Sequence, residues 1–213
     1  MTVDVPVEAR SLPDEAAALI AAGRRRSERF FAARDRELSP LAGFVPCDYA
    51  GVYPVLRAIR DRHLAPGDRF LEWGSGFGVV ASLAAQLGFQ SSGIEIEPDL
   101  VDEARAFAED EGLDVSFGCG SFLPEGGERF ADRVEEFDWL KTGGRPGYDE
   151  VGREPEDFDV IFAYPWPGEE QVIDGLFDAY AADSALLVTD HGLAGVRVRR
   201  RTAGSGAGSA DPG

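Results

Sequence analysis

Seven consecutive residues, Glu72-Trp73-Gly74-Ser75-Gly76-Phe77-Gly78, combine an acid with three glycines in a spacing that can grip a small polar ligand. Without a Cβ, Gly74, Gly76 and Gly78 let the backbone approach a ligand that any side chain would obstruct. The helix expected to follow presents unpaired N–H groups to an anionic group. A second acid, Glu95, lies in Gly93-Ile94-Glu95-Ile96-Glu97, seventeen residues beyond Gly78. At the end of the next strand, such a carboxylate can accept hydrogen bonds from both hydroxyls of a ribose. Glu97, directly before Pro98, suits the start of a helix better. Nicotinamide dinucleotides use similar geometry, but Val79 occupies the sixth position of their fingerprint, where Gly or Ala is required. Glu72 stands two residues before the first glycine, where those binders are usually apolar, and suits a ligand that carries an ammonium.

These residues need strands that end at them and helices that start beside them. Arg69–Trp73 reads as a strand running into the glycines. Val80, Leu83, Ala84 and Leu87 then mark a helix that Gly88 stops. Ser91–Ile96 is a second strand. Pro98 suits the first position of a second helix, Asp99 complements its dipole, and Gly112 ends it. Further strands are expected at Val115–Phe117, Phe158–Ala163 and Ala185–Thr189, with a helical stripe at Val172, Ile173, Leu176, Phe177 and Tyr180. Strands alternating with helices imply an α/β, doubly wound, Rossmann-like and mostly parallel sheet. The chain divides into an N-terminal helical arm over 1–50, a main domain over 51–201 with an insertion at about 123–157, and a flexible tail over 202–213. In the arm, Asp14–Ala22 and the segment around Phe30-Phe31 read as helical, Arg24–Arg26 as a solvated patch, and Ser39-Pro40 and Val45-Pro46 as breaks.

Arg69 through Arg105 resembles the cofactor half of class I S-adenosyl-L-methionine (SAM)-dependent methyltransferases. More narrowly, Glu-Trp-Gly-Ser-Gly-Phe-Gly, Gly-Ile-Glu-Ile-Glu-Pro-Asp-Leu and the upstream Phe44-Val45-Pro46 are similar to small protein-lysine methyltransferases of the archaeal and mitochondrial type. The resemblance implies SAM as cofactor, with Glu72, Gly74, Ser75, Gly76, Gly78, Glu95 and Ile96 in its site. It also implies a contact from the Cys47-Asp48-Tyr49 loop, with Tyr49 the leading residue. At the third strand the family commonly has Gly-Asp, whose acid holds the adenine amino group. Here Gly120-Ser121-Phe122 stands instead, so Ser121 and Phe122 are expected to serve. The family's sheet ends in an antiparallel pair, yet after His191 only Val196–Arg200 can form a strand. That edge must be shortened or built otherwise.

Tyr164-Pro165-Trp166-Pro167 follows the fourth strand, where methyltransferases place acceptor-binding residues. One reading is a proline-stiffened turn with aromatics packed beneath it. The other makes Tyr164 and Trp166 an aromatic wall for a methylatable amine, because rings attract cations. A lysine acceptor must also lose a proton, for which Asp190 and His191 are candidates, although a histidine at a strand end is more often a polar cap. The segment from Glu125 to Asp159 holds twelve acids against five bases, with Phe130, Phe137, Trp139 and Tyr148 among them and breaks at Gly143-Gly144 and Pro146-Gly147. It reads equally as a lid or docking surface and as a surface loop.

The net charge of −18, from 39 acids against 21 bases, repels phosphate backbones and disfavours nucleic acid as a partner. A basic protein or cationic small molecule matches it better. Cys47 and Cys119 lie far apart, which argues against a disulfide framework or zinc site and for reduced thiols in the cytoplasm. Neither a membrane span nor a signal peptide is expected. The leading expectation is methyl transfer from SAM to a nitrogen, with protein lysine the first candidate. A SAM-binding module without transferase activity and, behind it, a NAD-dependent oxidoreductase are the alternatives.

Overall fold

The computed structural model describes residues 1–3, 5, 12–33, 44–131 and 144–202. In chain order the elements are α1 (Asp14–Ala32), α2 (Tyr49–Asp61), β1 (Arg69–Trp73), α3 (Val79–Gln86), β2 (Gln90–Glu95), α4 (Pro98–Asp110), β3 (Val115–Cys119), α5 (Glu128–Ala131), α6 (Tyr148–Val151), β4 (Val160–Ala163), α7 (Glu170–Tyr180), β5 (Leu186–Asp190) and β6 (Val196–Arg200). The readings placed on Ser39-Pro40, Phe137, Trp139, Gly143 and residues 203–213 lie outside the described residues.

Side chains alternate across a strand, and that alternation decides which helices cover which face. Phe70, Val160, Phe162, Leu186 and Val188 join apolar residues of α1, α2, α3 and α4 in one core cluster. Leu71, Trp73, Ile161, Ala163 and Leu187 point the other way, into a second cluster with Tyr148 of α6 and Val172, Ile173, Leu176 and Phe177 of α7. A sheet buried on both faces must be covered by helices on both, which gives the doubly wound architecture. The strand order is β3-β2-β1-β4-β5-β6. Neighbours from β3 to β5 pair in parallel, and β6 runs antiparallel to β5.

The remaining edge is built from the start of the chain. Thr2 bridges Arg199 in antiparallel fashion. The Val3 N–H donates to the Val198 carbonyl and the Arg200 N–H to the Met1 carbonyl, both at 2.8 Å. The first residues therefore lie outside β6 and run in the direction of β1 to β5. The edge is built otherwise, as expected, from β6 and from residues nearly two hundred positions away.

The two helical stretches expected in the arm form one continuous helix, α1. Its Gly23 lets α1 settle on α3, because a Cβ there would meet Val79 Cγ2 at 2.5 Å. Arg26 is not part of a solvated patch. It reaches Asp110 at 2.8 Å and Glu103 at 3.4 Å on α4, and its guanidinium lies over the Phe107 ring. In α4, Pro98 and Asp99 occupy the first turn, as the dipole favours. No helix among the described residues is long and apolar enough to cross a membrane.

Candidate active site

The carboxyl ends of β1, β2, β4 and β5 carry Glu72, Glu95, Tyr164 and Asp190 to one end of the sheet. In doubly wound folds that is the end where ligands bind. The link from β1 to α3 bends through Gly74 (φ 69°), Gly76 (φ 53°) and Gly78 (φ 68°). All three are left-handed, a conformation that disfavours side chains. The loop curls over β2, where the N–H groups of Gly74 and Ser75 both donate to the Ile94 carbonyl at 2.9 Å. At Gly76 a Cβ would lie 2.6 Å from the Phe44 ring, and at Gly78 it would strike Phe117. Phe44 belongs to a cluster of rings with Phe31 and Phe77, so the arm sits directly on the glycine loop.

The two acids are held differently. Glu95 is buried, with Oε2 accepting the Gly76 N–H at 2.9 Å and Oε1 the Glu97 N–H at 3.0 Å. This ties the second strand to the loop and aims a carboxylate at the space between them. Glu72, also buried, accepts the Ala81 N–H at 2.8 Å through Oε2. One N–H at the start of α3, expected to await a ligand anion, is therefore satisfied by the protein itself. Burial pushes the Glu72 carboxyl well above the usual carboxylate range; the Ala81 N–H counters this and the Glu95 charge adds to it. Burial likewise raises Glu95, against the pull of three backbone N–H groups. Two neighbouring buried acids, with no cation between them among the described residues, fit a positively charged ligand. The Ser75 Oγ is buried and has no hydrogen-bond partner among the described residues. A glycine cradle, paired acids and an orphaned hydroxyl together suit the charged amino-acid and ribose portions of SAM.

Tyr49 opens α2 and is buried in the same neighbourhood. Burial lifts its phenol, the Cys47 and Glu72 charges add, and Arg24 pulls the other way. Tyr164 is half-buried at the end of β4, and its phenol is raised by burial and then by the Asp190 and Cys47 charges. Trp166 lies farther out, 37% exposed, in a turn where its N–H donates to Glu169 Oε2 and its carbonyl accepts the Glu169 N–H. Tyr164 thus stands half-buried at the same end of the sheet as the acids, while Trp166 is exposed. Ile96, just past β2, is partly buried and lines the same end of the sheet.

Ser121 and Phe122 are both tied into the fold at the end of β3. The Ser121 Oγ accepts the Leu123 N–H at 3.1 Å, while its own N–H and carbonyl pair with Arg145 and Gly147. Phe122 stacks on Trp73, with centroids 5.7 Å apart. The returning leg of the insertion, which the sequence left undecided between lid and loop, holds the main chain of both residues, Ser121 through Arg145 and Gly147 and the Phe122 carbonyl through the Tyr148 hydroxyl. His191 behaves as a polar cap. Its Nε2 meets the Thr189 Oγ1 at 2.8 Å, and burial and Arg197 press its pKa down.

Asp190 has a sharper role than the sequence suggested. Only 1% exposed, it accepts the Asp48 N–H through Oδ2 at 2.9 Å and the Gly192 N–H through Oδ1 at 3.0 Å. It clamps the 44–48 strap to the end of β5. No local pattern marks such a partner, since 142 residues separate the two ends of that bond.

No family model matches the chain. Ribosomal protein L11 methyltransferase of Thermus thermophilus is 42% identical over 60 residues, which are 28% of this chain and 24% of that protein. Its counterpart in Ralstonia pickettii is 32% identical over 80 residues, 36% of this chain and 27% of that one. The chain thus matches about a quarter of the length of these relatives. A solved methyltransferase from Geobacter sulfurreducens superposes over 90% of this chain and 92% of its own, with a TM-score of 0.52 and 16% identity. The fold is that of a methyltransferase. Within that methyltransferase fold, the glycine loop, Glu72 and Glu95 stand at the carboxyl end of the first two strands, and Tyr164 and Asp190 at that of the fourth and fifth.

Proposed function

We propose that this chain binds SAM and transfers its methyl group to a nitrogen acceptor, with a protein lysine side chain the leading choice. The observation that carries this reading is the pair of buried acids, Glu72 and Glu95, around a loop with three left-handed glycines. When bound, SAM supplies an electrophilic methyl on a cationic sulfur. The chain's own residues bind, orient and exclude water. Each Glu95 oxygen uses one lone pair on a backbone N–H and keeps another for a ribose hydroxyl. The Glu72 oxygen not engaged with Ala81 is left for an ammonium. Holding nucleophile, carbon and sulfur in line supplies up to about 7–11 kcal/mol in the best intramolecular cases; a lysine ammonium first gives its proton to solvent, and the lone pair of the neutral amine then attacks the methyl.

Three features support a cationic acceptor. Tyr164, at the end of β4, offers an aromatic face and a hydroxyl at the end of the sheet where Asp190 closes β5. Burial raises the Cys47 thiol, and the charges of Glu72, Asp190 and Asp48 raise it further, an acidic setting that suits a cation. The net charge of −18 favours a basic partner over nucleic acid. The two L11 methyltransferases act, by name, on a ribosomal protein, which favours a protein acceptor. The decisive experiment titrates the chain with SAM, its demethylated product and NAD, then offers radiolabelled SAM with lysate proteins, small metabolites and RNA in separate reactions. Binding of both adenosyl compounds with label in the protein fraction is the expected result. NAD binding alone would overturn the cofactor. Label confined to RNA would overturn the acceptor, and binding without label in any pool would leave a SAM-binding module.

A further inference from the structure

The leg that returns from the insertion, Gly144 to Tyr148, is fastened to the end of β3 by a seam of two backbones. The Ser121 N–H donates to the Arg145 carbonyl and the Gly147 N–H to the Ser121 carbonyl, both at 2.9 Å. This places Pro146 opposite Ser121 in a parallel bridge. The seam needs glycines on both sides. A Cβ on Gly118 would strike the Gly147 carbonyl, one on Gly120 the Arg145 carbonyl, and one on Gly147 would come within 2.7 Å of Ile94 Cγ2. The leg is also anchored from below. The buried Tyr148 hydroxyl accepts the Trp73 Nε1–H at 2.8 Å and donates to the Phe122 carbonyl at 2.6 Å. Glu150, next in α6, accepts from Arg105 and from the Cys119 N–H.

Such close fastening has a consequence for the ligand. Glu95 grips the sugar from the end of β2, so the base must extend past Ile96 toward the end of β3. There the leg arrives, so placed that a Cβ on Gly144 would stand 4.0 Å from Ile96 Cδ1, while Phe122 stacks on Trp73 and the Ser121 Oγ accepts the Leu123 N–H. We infer that the Gly144–Tyr148 leg forms the outer wall of the base slot, and that Gly120 and Tyr148 are positioning residues that set its width. The inference rests on the proposed SAM site and adds to it a specificity for an unsubstituted adenine edge. The edge of the base farthest from the sugar then meets the main chain of the leg, and the base is read by fit against it.

The test measures affinities of the full chain for S-adenosylhomocysteine and for its N6-benzyl derivative. Wild type, Gly120→Ala and Tyr148→Phe are compared, with circular dichroism as a check on folding. Wild type should bind the parent compound and reject the benzyl derivative. Forcing the seam apart or freeing its anchor should weaken the parent and admit the bulky base. The ratio of the two affinities should then move by about tenfold or more, the scale of one misfitted contact. A merely structural defect lowers both affinities together and leaves the ratio alone. An unchanged ratio in a folded variant overturns the wall. Should Gly120→Ala fail to fold, Tyr148→Phe still decides. Wild type that binds neither compound refutes the SAM site itself, a separate outcome.

Discussion

Replacing Asp190 with Asn tests whether one buried carboxylate holds the strap over the site. The side chain is 1% exposed and gives one oxygen to each of two backbone N–H groups, Asp48 at 2.9 Å and Gly192 at 3.0 Å. Asparagine has nearly the same shape but one acceptor, and its amide NH₂ cannot receive an N–H. One bond is therefore lost and one donor left unmatched. A hydrogen bond to a charged group contributes about 1.5–3 kcal/mol, so Asp190→Asn should cost about 2–3 kcal/mol. Asp190→Ala, which removes both acceptors, should cost about 3–5 kcal/mol. For a chain of this size, each kcal/mol lowers the melting temperature by about 2–4 °C, so the Asn variant should melt about 4–12 °C lower. Calorimetry measures that. Hydrogen exchange should show the Asp48 and Gly192 amides losing protection while the amides of β1 and β2 keep theirs. SAM affinity should fall as well, because the strap carries Cys47 and Tyr49 to the acids. An Asn variant with wild-type melting and unchanged protection at Asp48 would refute the clamp.

Glu95→Ala should weaken SAM by about 1–3 kcal/mol through loss of charge-assisted bonds to the ribose; unchanged affinity by calorimetric titration in a folded variant would remove Glu95 from the site. Gly78→Ala places a Cβ against Phe117 at a left-handed φ of 68°, and should lower stability by about 1–3 kcal/mol in urea denaturation. The folded Glu72 carboxyl holds its proton to higher pH than its ordinary value of 4.5. The folded state therefore binds the extra proton, and stability declines as pH rises through the window between those two values. Glu72→Gln keeps an acceptor for Ala81 without that titration, so its melting temperature should fall less than wild type's over the same rise in pH; parallel profiles would contradict the buried acid.

What was legible in the chain followed from local rules. The glycine loop and Glu95 could be read because a strand, a tight turn and a helix succeed one another within about twenty residues. The alternation of Phe70, Leu71 and Glu72 assigns each to a face without help from the rest of the fold. Pro98 and Gly112 mark the two ends of α4 through backbone chemistry alone. Arg26 was misread because a charge run has no local sign of a partner. Its acids lie 77 and 84 residues away, brought there by the packing of α1.

The illegible parts share that cause and join into one arrangement. The Asp48–Asp190 clamp, the Trp73–Tyr148 anchor and the Met1–Arg200 edge each connect segments that only the completed sheet makes neighbours. Two of them hold a peripheral segment against the carboxyl end of the sheet, the strap on the β5 side and the insertion leg on the β3 side. A generic α/β sheet offers an open crevice at that end. Here the crevice is narrowed from both flanks by pieces whose hold depends on a few buried polar atoms, Asp190 on one side and the Tyr148 hydroxyl on the other. Buried polar links are costly to leave half-made, so each should loosen as a unit. Loss of Asp190 should then alter the amino-acid end of the cofactor, and loss of the Tyr148 hydroxyl the base end. Because the two links lie on opposite flanks with no shared partner, their effects on SAM affinity should add in the double variant.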